Sequence, residues 1–584
     1  MDTTTFHMLK SWAFEFLSSF VGHSGRGAAV QSAAAVVASY VVVARLYDAF
    51  FGPLSDVPGP LIHKLLDLPV TLPSERGSAW KYVASVHERY GPVVRIGRNV
   101  ISVADKEMLK QVCTRVLHPL LPIIPFHLSH DTYPVPTSLP PAQILVKEDL
   151  PKSKLYKQGQ RMTGRQTLFN TIELDFHKQR RRILSPAFSI SYLNSLEPYI
   201  FQATESLVRK LRAEISVGTN ERAVVDIWNL LQRLALDIIG ETAFGRTFGM
   251  IENGSHPLPQ KITESMRRRA LIGQFPFLGL IPALTRQDPL FQKFVTNIIE
   301  DRVKSGIHRS DILQILIDAQ YSKESDDRLD VKDIISETVL FLYAIPFTTR
   351  APVSFVALSE SLMSIEISPP LLHPSIAGSE TTSNSTGFAI IYLLRHPDKL
   401  QTLIRELDTQ LDIPVGDLLP SHDSLKHLPY LNAVINETMR LRPVSALGLP
   451  REPAKDVMLG HYFVPRKTLV IANMRGVQIN PDYWPNPTEF MPERFLEGAV
   501  PGPAMDAFYP FSAGSRNCIG KNFAWMEMRL ILATLFKYFE FDLIPSEMPK
   551  ADDLAQFVTL TIRANEFNVG VRVRKEAWEK VHGF

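Results

Sequence analysis

Phe511-Ser512-Ala513-Gly514-Ser515-Arg516-Asn517-Cys518-Ile519-Gly520 is followed by an apolar-periodic run from Phe523 through Leu535 that reads as a helix. The cysteine therefore sits just before a helix start, where unpaired backbone N–H groups and the helix dipole favour a thiolate. Gly514 and Gly520 let the backbone turn sharply and pass close to a flat macrocycle, and Arg516 offers charge-assisted hydrogen bonds to a carboxylate on such a group. Phe511 is placed to shield the sulfur from water. An isolated cysteine near a helix is usually just a small buried hydrophobe, so it is the neighbours that make this one a candidate metal ligand.

The spacing Phe-x-x-Gly-x-Arg-x-Cys-x-Gly, filled by Phe511, Gly514, Arg516, Cys518 and Gly520, resembles the haem-binding loop of cytochromes P450. The resemblance covers nearly everything after Pro58. It implies a mainly α fold with small β-sheets (α+β), a haem b whose iron takes its axial thiolate from Cys518, and a monooxygenase. In that family the thiolate pushes electron density onto iron and favours O–O cleavage.

Motifs elsewhere support it. Glu437 and Arg440 stand at i and i+3 on a predicted helix from Leu428 to Leu441. Alone, such a pair is usually a solvated surface ion pair. Downstream, Pro492-Glu493-Arg494-Phe495 resembles the family segment whose arginine joins that pair in a buried network, so Glu437, Arg440 and Arg494 are expected to brace the cysteine loop. Ala377-Gly378-Ser379-Glu380-Thr381-Thr382 resembles the family's oxygen-activation segment on the helix that crosses the distal face of the haem. There Gly378 leaves room for dioxygen, Thr381 donates a hydrogen bond to it and Glu380 relays protons. Without the haem loop, Thr381 would read as a back-bonded threonine in an ordinary helix. Arg181, in His177-Lys178-Gln179-Arg180-Arg181-Arg182, and Arg451, in Leu449-Pro450-Arg451-Glu452, are looser matches to propionate ligands. A solvated basic helix face is the plain alternative for Arg181. His177 stands where the family often has tryptophan.

The 584 residues are 45% hydrophobic and 21% charged with a formal charge of +3, proportions of a folded protein with a large core. No Lys/Arg run is long enough to track a phosphate backbone, which argues against nucleic acid as a partner. Cys113 and Cys518 are the only cysteines, so no disulfide framework or Cys-rich zinc site is available, and a reducing, cytosol-facing location fits. Gly27–Ala44 is nearly uncharged and about long enough to span a bilayer, which makes residues 1–51 an expected membrane anchor and 52–584 the catalytic domain. A buried helix is the alternative. Asp56-Val57-Pro58-Gly59-Pro60 reads as a stiff hinge between the two. Strand-like runs lie at Val93–Val103 and Phe567–Val573. Sequons at Asn253, Asn384 and Asn436 are expected to stay unmodified on the cytosolic side.

Two segments break the pattern. Residues 343–375 carry Pro346, Pro352, Pro369, Pro370 and Pro374, and an interior proline costs a helix about 3 kcal/mol, so no helix runs through them. Joining Leu342 to Ile376 restores VLFLIAGSETT, an unbroken apolar-periodic stretch. Residues 112–143 hold seven prolines, and joining Gln111 to Ile144 restores EMLKQILVKEDL. Both read as retained introns, for which Val112-Cys113 and Leu342-Tyr343 accommodate GT donors and Gln143 a CAG end. Surface insertions are the alternative, a poor one where the catalytic helix is split.

The resemblance implies insertion of one oxygen atom from O2 into an apolar small molecule. Its electrons would come from NADPH–cytochrome P450 reductase, its setting would be the endoplasmic-reticulum membrane, and by analogy its pathway would be fungal secondary metabolism. The alternatives are an O2-independent isomerase or dehydratase, which has less need of Glu380-Thr381, a haem sensor or carrier, and a non-functional mis-spliced product. Ser153–Phe169, Phe275–Leu284 and Gln556–Thr561 are expected to line the pocket, with Phe275, Phe277 and Leu280 also candidates for membrane contact or plain core.

Overall fold

Helices form where apolar residues recur at helical spacing. Leu193, Leu196, Ile200, Ala203, Leu207, Leu211 and Ile215 bury one stripe of the helix Ile190–Val217, whose Ser189 side chain accepts the Tyr192 N–H at its start. The helix Ile227–Phe244 is buried on nearly every face, begins on Asp226 and ends at Gly245, which takes φ +72°. It packs between Ile190–Val217 and the helix Glu380–Arg395. Gly387 makes that last approach possible, since a Cβ there would stand 2.6 Å from the Trp228 ring. Trp228 meets Phe388 edge-on at 5.1 Å. The helix Lys521–Tyr538, predicted over Phe523–Leu535, is buried from Met526 onward against Glu380–Arg395 and Pro429–Leu441. The expected helix at Leu428–Leu441 thus starts one residue later.

The computed structural model describes residues 26–66, 77–114, 150–157, 160, 165–256, 289–306, 308–322, 324, 327–340, 379–411, 413, 419–556, 559–575 and 578–579. Among them the strands form small sheets at the edge of the helical body. The predicted run Val93–Val103 is a hairpin of Val93–Gly97 and Val100–Val103. Its second strand pairs in parallel with Leu469–Ala472, which pairs antiparallel with Leu449–Arg451. Phe567–Val573 becomes the strand Asn568–Val573 between Ala223–Asp226 and Phe539–Leu543. Leu554–Gln556 and Leu560–Ile562 make a separate hairpin.

The helix Arg26–Phe51 contains the expected anchor, and from residue 35 it leaves Val37, Tyr40, Val41, Val42, Val43, Leu46, Tyr47, Phe50 and Phe51 exposed. Among the described residues no helix is long and apolar enough to cross a membrane. The segment read as a stiff hinge is docked on the body of the protein. Leu54 and Val57 are buried, and the Pro58 carbonyl accepts the Arg95 N–H at 2.7 Å. The buried Arg95 guanidinium donates to the carbonyls of Leu54 and Arg98. Proline removes a donor but keeps its acceptor, which is how a proline-rich linker still joins a sheet edge.

Of the first interruption residues 112–114 are described, and of the second only the flanks. The helix Lys106–Cys113 buries Val112 and Cys113 in the core beneath the four-stranded sheet, and Leu150 N–H donates to the Val112 carbonyl at 3.2 Å. Separate helices, Val331–Leu340 and Glu380–Arg395, stand on either side of the second interruption. Gly378 and Phe275–Leu284 lie outside the described residues.

Candidate active site

The cysteine loop is closed by its own backbone. Cys518 N–H donates to the Phe511 carbonyl at 2.9 Å, Ser512 N–H to Tyr509 at 3.1 Å and Asn517 N–H to Gly514 at 3.2 Å. Ser512 and Gly514 take φ +59° and +73°, the left-handed turn that the glycine makes easy. Gly520 caps the helix Lys521–Tyr538, with Ala524 N–H bonded to its carbonyl. Arg181 anchors the loop from outside, its guanidinium donating to the Asn517 carbonyl at 2.8 Å and to the Asn517 side chain. Phe511 is half-buried against the helical core.

Cys518 is exposed to solvent although protein surrounds it closely. Cys113 is buried. Burial pushes the Cys518 thiol up, while the Gly520 N–H and Arg181 pull it down less strongly. Desolvation of the charged sulfur thus works against the thiolate expected from the sequence, and a coordinating metal deprotonates a thiol outright.

Glu437, Arg440 and Arg494 are brought together. Arg440 Nε and Nη2 donate to the two Glu437 carboxylate oxygens at 2.7 and 2.8 Å, and Arg494 Nε to the same carboxylate at 3.1 Å. Glu437 and Arg440 are fully buried and Arg494 nearly so. The remaining donors find carbonyls: Arg440 reaches Gln478 and Pro487, and Arg494 reaches Pro485. Gln478, which sequence reading missed, donates its side-chain amide to the carbonyls of Met439 and Arg440 and accepts Tyr509 N–H at 2.9 Å. One buried amide thus ties the network to the start of the cysteine loop.

On the opposite side Glu380 is buried and Thr381 half-buried in the first turn of the helix Glu380–Arg395. A carboxylate suits that position because it faces the positive end of the helix dipole. Asn384, one turn on, is fully buried and donates to the Leu560 carbonyl at 3.0 Å, fastening the helix to the Leu554–Ile562 hairpin. Its burial also excludes a glycan there. Glu527, on the helix that follows the cysteine loop, is fully buried with its carboxyl toward Thr382, and burial pushes it up to about 8. No local pattern singled out Glu527, and Asn384 stood out only as a sequon.

The arginines assigned to propionates converge with two residues that were not assigned. Arg451 is almost fully buried, bonds the Tyr156 hydroxyl and the Pro450 carbonyl, and leaves Nε without a partner. Arg516 donates to the carbonyls of Thr171 and Glu173 at 3.5 and 3.3 Å. His177 is buried beside Arg516, Lys152 and Arg181, and burial together with those charges pushes it down to about 3, so the imidazole is neutral. Lys152 is buried among Arg516, Arg451 and Arg181.

The residues fit a haem. Cys518 is exposed rather than packed into the core. A Cβ on Gly520 would meet nothing nearer than Cys518 Sγ at 3.9 Å and Phe188 at 4.0 Å, so glycine keeps clear a place beside the sulfur that the protein itself does not fill. Buried cations gather at one side of the site, an arrangement that two carboxylates on a ligand would neutralise.

Residues 99–569 match the Cytochrome P450 family model. The chain belongs to the cytochrome P450 family. It is 33% identical over 506 residues to cytochrome P450 monooxygenase acrD of Aspergillus aculeatus, covering 85% of this chain and 87% of that protein. It is 30% identical over 556 residues to cytochrome P450 monooxygenase FUS8 of Gibberella moniliformis, covering 92% and 93%. The crystal structure of the cytochrome P450DA heme domain shares the fold, with a TM-score of 0.63 at 19% identity over 85% of this chain and 92% of that one. The protein is accordingly a P450 monooxygenase, using haem ligated by a cysteine thiolate, O2, an organic substrate and a redox partner.

Proposed function

We propose that this P450 takes its iron ligand from Cys518, holds the propionates with Arg451, Arg181 and Arg516, and delivers protons through Glu380 and Thr381. The accessible sulfur in a loop closed by Phe511 and held by Arg181 is the observation that carries the reading. The haem supplies the oxidant that attacks an unactivated C–H bond. The chain's own groups do the rest. Glu437, Arg440 and Arg494 hold the loop against the helix Pro429–Leu441, Thr381 and Glu380 hold and pass protons at the distal face, and Asn384 keeps their helix in register with the hairpin beside it.

The substrate is an apolar small molecule of fungal secondary metabolism, a reading supported by the fungal monooxygenases it resembles. Electrons come from NADPH–cytochrome P450 reductase at the endoplasmic-reticulum membrane, with the catalytic domain facing the cytosol. The helix Arg26–Phe51 serves as the anchor. What supports that reading is the apolar surface the helix leaves uncovered from residue 35 on, Val37, Val41, Val42, Val43, Phe50 and Phe51 among it.

Segments 112–143 and 343–375 are retained introns in this reading. In a chain without the first, Ile144 and Leu145 follow Gln111 and bring apolar side chains to the buried places of Val112 and Cys113. Without the second, the helix that ends at Leu340 continues toward Glu380 across apolar residues.

The test is the reduced, carbon-monoxide difference spectrum of the full chain beside a version lacking both segments. A thiolate-type Soret band in the shortened chain alone supports both the site and the introns, and a band in both refutes the introns as a barrier to haem. No band in either haem-loaded protein refutes Cys518 ligation.

A further inference from the structure

Lys152 is 8% exposed, and its ammonium donates to the Phe169 carbonyl at 2.6 Å. It also lies over the rings of Tyr156 and Phe169, at 4.8 and 5.1 Å from their centroids. Its backbone pairs with Arg451 in a β-bridge, so these two cations enter the same region from adjacent strands of chain. The charges around it are Arg516, Arg451 and Arg181, and together with burial they hold its pKa well below the usual lysine range. The nearest acid in sequence beyond Arg451, Glu452, is turned outward to the Lys154 N–H at 3.2 Å and to the Lys154 ammonium at 3.6 Å.

Lys152 and Arg451 are buried and Arg181 and Arg516 partly so, and such a cluster of like charges is costly because the buried members lose hydration and all repel one another. Two aromatic faces and one carbonyl stabilise an ammonium but do not offset three guanidiniums. The arrangement makes sense once a dianionic edge is seated among the cations, and haem carries two carboxylates.

We propose that Lys152 is a haem-propionate ligand, donating to a propionate oxygen while it remains bonded to the Phe169 carbonyl. The lysine then joins the cofactor to the chain between Ser153 and Phe169, the stretch the sequence places along the substrate pocket.

The test compares full-length wild type with Lys152→Met, which keeps the length and the ring contacts, and Lys152→Arg, which keeps the charge. Haem loss to excess apomyoglobin is timed for each, with the carbon-monoxide spectrum confirming thiolate ligation at the start. The unfolding midpoint of each haem-free protein is then measured. K152M loses haem about tenfold to a hundredfold faster, the range of one hydrogen bond to a charged group. Its haem-free midpoint is unchanged or raised, because a repelling cation has gone, and K152R stays near wild type in both. Equal haem loss from wild type and K152M overturns the proposal. So does faster loss with a lowered haem-free midpoint, which is the behaviour of a lysine that only braces Phe169.

Discussion

The two sides of the cysteine loop solve the problem of buried charge in opposite ways. Behind the loop, Glu437 meets two arginines whose further donors reach backbone carbonyls. At the propionate side, Arg451, Arg516, Arg181 and Lys152 crowd together with charges of one sign. The first cluster is complete as protein and supports the fold. The second becomes balanced only when a dianion joins it, so it registers the cofactor.

That contrast is broken or sharpened by a series of substitutions. The largest effect is expected from Cys518→Ser, which abolishes the thiolate-type carbon-monoxide band and monooxygenation, whereas Cys113→Ser leaves the band in place. Arg440→Ala comes next. It strands Glu437 in a buried site, costing about 3–5 kcal/mol, and in chemical denaturation the haem-free and haem-loaded proteins both show the loss. A variant in the propionate cluster that damaged the haem-free protein equally would erase the distinction between the two sides.

Thr381→Ala and Glu380→Gln leave the haem spectrum intact but reduce product formed per NADPH consumed, with a rate loss on the order of 10²-fold, as expected for misplaced proton delivery. Product assays run beside NADPH oxidation separate this from simple loss of the enzyme. The smallest effect is that of Glu527→Gln, read as pH dependence. The Glu527 carboxyl titrates near 4.5 unfolded and at about 8 folded. Its contribution is therefore least costly below pH 4.5, and stability is lost as pH rises from there through 8. The glutamine variant flattens that slope in denaturation curves taken at pH 5, 6.5 and 8.

Local spacing made much of this legible. The cysteine loop and the Glu437–Arg440 pair each lie within ten residues of sequence, and the buried apolar stripes repeat at helical spacing, so the helices Pro429–Leu441 and Lys521–Tyr538 fall close to their expected bounds. What escaped depends on residues far apart in the chain. Lys152 has no telling neighbours in sequence, and its place follows from a bridge to Arg451. Gln478 is one amide in a short helix until Tyr509 and Arg440 converge on it. The linker at Asp56–Pro60 reads as a hinge because its prolines stop helices, yet Arg95 pins it through the carbonyl that Pro58 retains and, just before it, that of Leu54.

The parallel pairing of Val100–Val103 with Leu469–Ala472 also sets a schedule. On the ribosome the first strand is made long before the second, and at roughly 5–20 residues per second the wait is on the order of half a minute. Throughout it the N-terminal hairpin presents an open edge to the nascent chain and to chaperones. Arg451 and Cys518 emerge last, so a haem offered early meets only part of its site, and its capture belongs to the final seconds of synthesis or to the time after release.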